Sequence, residues 1–495
     1  MVRGCSIDQD IDYWNHMTTI QARDETMPGH EAPSHGEILN AVGLAPDAVS
    51  EWQQALPKCT ASYAADRHAY ADFWLRSARL VERLPPPARR SDRERAAAAM
   101  IAETARKART EFLRAHVEAV YDALTDARRR HARVERLVTA AADVVPGLVP
   151  SAQELAAEDG RLQRDRSGAE IDQGLFVSAV LANESTGRHL CHAMLLPRPE
   201  AVALLGQFQR DGHVELDGAS LLRKGKACIV SYAHPRFLNA EDQGTLDAME
   251  TCVDLALLDR GTEVAVLRGA PVDHPKYKGR RIFGAGINLT HLYHGRIPYI
   301  WYLQRDLGYV NKIYRGLAFA DDAPPDECGG ASIEKLWIAA IEAFAIGGHC
   351  QVLLACDQVI AESDAFLSLP ARKEGIIPGA ANLRLPRFVG DRIARQAILA
   401  ERRIDCDSPE GRLVCDEIVA RGTMDAAIER TVDALTGSGV VSAAGNRRAI
   451  RIAQEPLDVF RNYMAVYARE QAYCHFSPAL IANLEHHWNA QNRKP

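Results

Sequence analysis

Apolar residues recur every three to four positions from Ala98 to Val145 in AAMIAETARKARTEFLRAHVEAVYDALTDARRRHARVERLVTAAADVV, the period of an amphipathic helix. Ala, Leu, Arg and Glu dominate on both sides of this stretch, so residues 34–212 are expected to form a helical N-terminal domain. LPPPARRSD interrupts it at Pro85 to Pro87, and Ser91 or Asp92 can cap the long helix that follows. The first 33 residues show no period and have the composition of a flexible tail.

From His213 the pattern changes. KACIVSYA, TEVAVLRGA, WIAAIEAF and QVIAESDAFLSL read as strands, while AEDQGTLDAMETCVDLALL and GHCQVLLACD read as helices. The alternation predicts an α/β domain of βαβ-type units over residues 213–415. Residues 416–495 return to a helical period through EPLDVFRNYMAVYAREQAYCHFSPALIANLEHHW.

Composition narrows the function classes. With a net charge of −6 and 25% charged residues, the chain lacks the basic excess that would hold nucleic acid. It has no apolar run long enough for a membrane span and no signal-peptide pattern, so a cytoplasmic protein is expected. The 11 cysteines are scattered singly, without a Cys-x-x-Cys pair. The pairings HVE at His213–Glu215, HLYH at His291–His294 and EHH at Glu485–His487 are too short to specify an ion. No metal site is expected.

Two segments carry the candidate chemistry. In AFAIGGHCQVLLACD, Ala343 to Asp357, a buried strand ends on Gly347 and Gly348 and a helix opens at once. In EVAVLRGAPVDHPKYKGRRIFGAGINLTHL a β-rich run crosses a basic loop, passes Gly284-Ala285-Gly286 and enters a helix after Ile287 and Asn288. Glycine lets an anionic atom approach the free N–H groups of such a turn.

The two turns in this order, with RFLNAEDQGTLDAM before them and IIPGAANLRL after them, resemble the crotonase or enoyl-CoA hydratase/isomerase family. The resemblance implies a crotonase-like ββα spiral core, an acyl-CoA substrate, and an oxyanion hole whose backbone donors fall on Ile287 and Gly348. Enolising a thioester places negative charge on its carbonyl oxygen, which preorganised donors stabilise more than they stabilise the neutral ester.

Departures from the family are as telling. Where hydratases carry their two catalytic acids, this chain has Gln351 and Ala371. Neither can exchange protons at neutral pH, so hydration is not expected. A long helical N-terminal extension and Gln at the first of these places resemble the subfamily of cofactor-independent dioxygenases acting on 3,5-dihydroxyphenylacetyl-CoA. That resemblance implies oxidation by O₂ to 3,5-dihydroxyphenylglyoxylate with release of CoA, a step toward the dihydroxyphenylglycine of glycopeptide antibiotics. O₂ and the acyl-CoA are then substrates and no cofactor is needed. An acyl-CoA hydrolase or a non-catalytic CoA-binding scaffold are the competing readings.

On this reading Gln351 and Glu241 join Ile287 and Gly348 as catalytic candidates. Arg305 is a candidate for binding a ring hydroxyl, and Tyr299, Trp301 and Tyr302 for an aryl wall. Ile287, Leu289 and Ile376 are candidates for lining an O₂ pocket. Lys276, Lys278, Arg280 and Arg281 suit the CoA phosphates. Each has a plain alternative: Glu241 as a first-turn helix acid, Arg305 as a surface cation, Ile376 and the aromatics as core. The family resemblance also implies a homo-oligomer, a trimer or a pair of trimers.

Overall fold

The computed structural model describes residues 34–320, 327 and 330–495. The tail expected at 1–33 lies outside the described residues. The chain begins with α1 (His35–Asn40), α2 (Pro46–Gln54), α3 (Tyr63–Glu82) and α4 (Asp92–Thr125). α4 runs for 34 residues because Ser91 closes a capping box with Glu94 at its start, and it ends where Asp126 turns left-handed. α5 (Val134–Val144), α6 (Ala152–Ala156), α7 (Ile171–Ala182), α8 (Glu184–Leu195) and α9 (Pro199–Asp211) complete the helical part.

Gly212 reverses the chain in the left-handed region, and the first strands follow: β1 (His213–Leu216), β2 (Gly218–Lys224) and β3 (Ala227–Ala233). Next come α10 (Gln243–Leu258), β4 (Val264–Gly269), α11 (Leu289–Tyr293), α12 (Ile300–Leu307) and α13 (Tyr309–Arg315). The second half holds β5 (Leu336–Ile341), β6 (Phe344–Ile346), α14 (Gly348–Leu353), β7 (Gln358–Glu362), β8 (Phe366–Ser368), α15 (Ala371–Glu374) and α16 (Ala381–Leu399). β9 (Ile404–Asp405) and β10 (Glu417–Val419) close the strand set.

The main sheet has the order β1-β2-β3-β4-β5-β7-β10, antiparallel from β1 to β3 and parallel from β3 onward. β4 and β5 are buried at every position, as expected for parallel strands covered on both faces. A second sheet, β6-β8-β9, stands apart. The stretches WIAAIEAF and QVIAESDAFLSL, each expected as one strand, are therefore each divided between the two sheets. The turns at Glu342-Ala343 and Ser363-Ala365 carry the chain from one sheet to the other. This is the α/β spiral that the sequence predicts.

The boundary expected at residue 415 cuts through this core. β10 pairs with β7 beyond it, and α17 (Met424–Thr436) lays Met424, Ala427, Ile428 and Val432 on Val264, Val266, Ile338 and Ile360 of the sheet. α18 (Val441–Gln454), which still touches β5, then α19 (Leu457–His475) and α20 (Pro478–Trp488) follow. α19 packs along α7 of the N-terminal part. The fit is close because Gly174 has no side chain: a Cβ there would lie 2.5 Å from Ala472 Cβ.

Candidate active site

The first glycine turn is held from both sides. Asn239, itself left-handed, donates through Nδ2 to Ala270 O at 2.9 Å and Ile282 O at 2.7 Å, fixing the strand that follows against the loop. Glu241 N donates to Gly286 O at 2.8 Å and Asn288 N to Glu241 O at 2.7 Å, which brackets Ile287. Gly286 N donates to His349 Nδ1 at 3.0 Å. The second turn is fixed by Gly347 N donating to Ser368 O at 2.8 Å and Gln351 N to Gly347 O at 3.1 Å. Among the described residues, neither the Ile287 nor the Gly348 amide has a hydrogen-bond partner. The turns touch: a Cβ on Gly286 would lie 3.4 Å from Gly347 Cα and 3.5 Å from Gly348 N. Gly286 and Gly347 both have positive φ, 82° and 55°, which only glycine adopts without strain. Two residues with unpartnered amides thus line one cleft.

Beneath the two turns lies a buried polar floor. Arg305, expected as a ring-hydroxyl ligand or a surface cation, is 3% exposed. Its Nε donates to Glu241, its Nη2 to Glu241 Oε2 and Gly348 O at 2.8 Å each, and its Nη1 to Asp306 Oδ1 at 2.9 Å and Gln351 Oε1 at 2.5 Å. All five N–H donors of the guanidinium are therefore engaged within the protein. Gln351 completes the floor by donating from Nε2 to Asp306 Oδ1 at 2.7 Å. The Tyr309 hydroxyl donates to Glu241.

Burial alone would raise the Glu241 carboxyl, but Arg305 and Tyr309 outweigh it and hold the group below its usual value. For Asp306 burial prevails over Arg305 and Gln351, and its carboxyl is raised. His349, wholly buried, is brought down by desolvation to about 4 and stays neutral. Its Nδ1 accepts from Gly286, so the proton is on Nε2.

A cleft opens over this floor. Ile287, Gly348, Gln351, Arg305 and Ile376 line it, together with the rings of Trp301 and Tyr302. Tyr299 does not. Its hydroxyl donates to Ala468 O and its N–H to Glu170 at 2.6 Å, so it ties α12 to α7 and α19. Leu289 also stays outside the lining, half-buried in the first turn of α11 against the core. In the basic loop, Arg280 is committed to Glu362 at 2.8 Å and to Asp364, and Arg281 donates to Gly269 O at 3.2 Å. Lys276 and Lys278 remain exposed. Sequence reasoning missed Asp306, His349, Glu374 and Tyr467, of which all but His349 line the cleft.

Residues 331–444 match the family described as Enoyl-CoA hydratase/isomerase. Over 417 residues the chain is 46% identical to the (3,5-dihydroxyphenyl)acetyl-CoA 1,2-dioxygenase of Amycolatopsis orientalis, an alignment covering 84% of this chain and 94% of that enzyme. The chain belongs to the enoyl-CoA hydratase/isomerase family. It is also 30% identical over 196 residues to the short-chain-enoyl-CoA hydratase of Clostridium acetobutylicum, covering 39% of this chain and 66% of that one. Among solved structures, an enoyl-CoA hydratase/isomerase from Xanthobacter autotrophicus Py2 aligns with 21% identity and a TM-score of 0.45, over 55% of this chain and 94% of that one. Gln351 and Ala371, the two places where the resemblance puts the hydration acids, both line the cleft. Gln351 faces Asp306 and Arg305, and Ala371 presents a methyl group to the cleft.

Proposed function

We propose that the protein is a dioxygenase that converts 3,5-dihydroxyphenylacetyl-CoA and O₂ to 3,5-dihydroxyphenylglyoxylate and CoA. The observation that carries the reading is the identity of 46% along 94% of a relative named for a 1,2-dioxygenase acting on that thioester. The free Ile287 and Gly348 amides suit the thioester oxygen, and the missing acid pair removes hydration as a competing reaction.

Loss of an α-proton moves an electron pair onto the thioester oxygen, where the two amides hold it. The enolate gives one electron to O₂, and the two radicals join to form a Cα–O bond. The distal peroxide oxygen attacks the thioester carbonyl and the CoA thiolate leaves. Departure of the second α-proton then breaks the O–O bond, giving the ketone and the carboxylate. Cα is oxidised by four electrons and O₂ accepts all four. The substrate supplies the reducing power, so the reaction needs neither metal nor flavin. Ile287, Ile376 and Ile377 offer an apolar side to the cleft on which a small gas can rest. Asp306 and Gln351 line the cleft with oxygens that can accept from ring hydroxyls, whereas Glu241, expected as a substrate contact, stays outside the lining and holds Arg305, and Lys276 and Lys278 are exposed to meet CoA phosphates. Assembly as a trimer or pair of trimers, and a place in dihydroxyphenylglycine biosynthesis, belong to the same reading.

The test is incubation of chelator-treated protein with 3,5-dihydroxyphenylacetyl-CoA in air and under argon, following oxygen uptake and free thiol. Equimolar uptake and thiol release in air alone are expected. Thiol release under argon would show a hydrolase, and CoA binding without turnover would show a scaffold.

A further inference from the structure

Enolate formation needs a base, and the family positions that supply acids hold Gln351 and Ala371 here. α15 carries a carboxylate one turn beyond the second of these. Glu374 follows Ala371 by three residues, the spacing that places two side chains on one helix face, and both line the cleft. A Cβ on Gly347 would lie 3.6 and 3.7 Å from its two carboxylate oxygens, so the group sits against the turn that presents the Gly348 amide. The Glu374 side chain is buried to 6% exposure, and among the described residues it makes no hydrogen bond and no ion pair. A buried carboxyl without a partner is costly unless it has a task.

We propose, resting on the dioxygenase reading, that Glu374 is the general base that takes the α-proton of the bound thioester. The C–H bond breaks, its electron pair moves to the thioester oxygen under Ile287 and Gly348, and the proton goes to the Glu374 carboxylate. Negative charge passes from one buried oxygen to another, so the cleft keeps its net charge through the step. That avoids two anions beside one another in a dry site. The same carboxyl, after losing its proton to solvent, can take the second α-proton as the O–O bond breaks.

The surroundings support a base matched to neutral pH. Desolvation, aided by Glu401, raises the Glu374 carboxyl to about 7. Glu401 itself pairs with Lys373 at 2.6 Å. Tyr302 faces the group from α12, and Arg305 and Asp306 lie across the same cleft. From α20, Leu480 and Asn483 meet the adjoining Gly375, and neither titrates.

The experiment is anaerobic exchange of the α-hydrogens of 3,5-dihydroxyphenylacetyl-CoA in D₂O, followed by proton NMR against an enzyme-free control. Glu374→Gln is expected to exchange at least about a hundredfold more slowly than wild type, the usual contribution of a general base, with CoA affinity retained. Glu374→Asp, which keeps the carboxyl, should recover part of the rate. Glu401→Gln should move the rising limb of the wild-type pH–rate profile to lower pH. Exchange by Glu374→Gln within about threefold of wild type would overturn the assignment, since a general base contributes far more. Exchange by the wild type without oxygen uptake in air would overturn the dioxygenase reading while the Glu374 comparison still decided the base. No exchange by the wild type would overturn both.

Discussion

At position 351 an amide does what a carboxylate cannot. Gln351 accepts from Arg305 at one end and donates to Asp306 at the other, and both neighbours are buried. Glu in its place would still accept from Arg305 but would face Asp306 as a like charge, unless the two shared a proton. Gln351→Glu is expected to lower oxygen uptake about tenfold or more, a loss of over 1.4 kcal/mol of transition-state stabilisation. The ratio of variant to wild type should rise as pH falls and the shared proton returns. A ratio independent of pH would show that Asp306 does not matter to the site. The glycine turns were legible because their signal is local: Ile287 and Gly348 follow from a few neighbouring residues. The Glu241–Arg305 pair joins residues 64 apart, which no local pattern reveals. Tyr299 was misread for a related reason, since an aromatic run does not say which ring faces the cleft and which faces α19. Glu374 had a signal that went unused, an acid one turn from Ala371. Asp306 had another, a carboxylate beside Arg305 in a helix otherwise rich in aromatics.

Helices α5, α10 and α13 meet at a buried charge cluster. Lys312 Nζ, fully buried, lies 2.7 Å from Glu250 Oε1 and 2.8 Å from Asp254 Oδ1, while Arg133, just before α5, reaches Glu250 at 2.8 Å. Arg198 donates its backbone N–H to Asp254 at 2.6 Å. The cluster joins the helical N-terminal part to the helix that follows the Arg305 helix, so it positions the floor of the cleft from behind. Lys312→Met keeps the volume and removes the charge that both carboxylates share. It is expected to cost about 3–5 kcal/mol, as for other broken buried pairs, read as a lower denaturation midpoint at unchanged slope. A shift of less than about 1 kcal/mol, the range of surface pairs, would show the cluster to be only tolerated. At this scale the periodicity located helices and strands well. It did not show that two strand-like runs divide between separate sheets, because a short turn such as Glu342-Ala343 interrupts neither hydrophobicity nor burial.

Across the whole molecule, acid should unfold the protein through groups that fold neutral. His475, at the end of α19, is fully buried, its two ring nitrogens have no partner among the described residues, and desolvation brings it down to about 3. In the unfolded chain the same ring takes a proton near its ordinary value of about 6.5. The unfolded state therefore binds more protons between these values, and stability present above pH 6.5 is lost as pH falls toward 3. His475 alone contributes a slope of about 1.4 kcal/mol per pH unit in that window, and His349 adds in the same direction. Thermal melts from pH 7 to pH 5 should show a falling Tm, with a shallower fall in His475→Phe. Equal slopes in both proteins would show that this ring titrates as freely folded as unfolded. His475 belongs to the helix that docks on α7, where Arg461 donates to Ala182 O at 2.9 Å across 279 residues of chain. Seen from the ribosome, that pairing comes late. α7 emerges with its Gly174 groove open, and the Arg461 that pairs with it lies 279 positions further on. Tyr467, which lines the cleft, arrives on that same late helix. A contact of such long range is slow to form and leaves apolar surface uncovered meanwhile, so the growing chain depends on the rest of its own length for protection against aggregation.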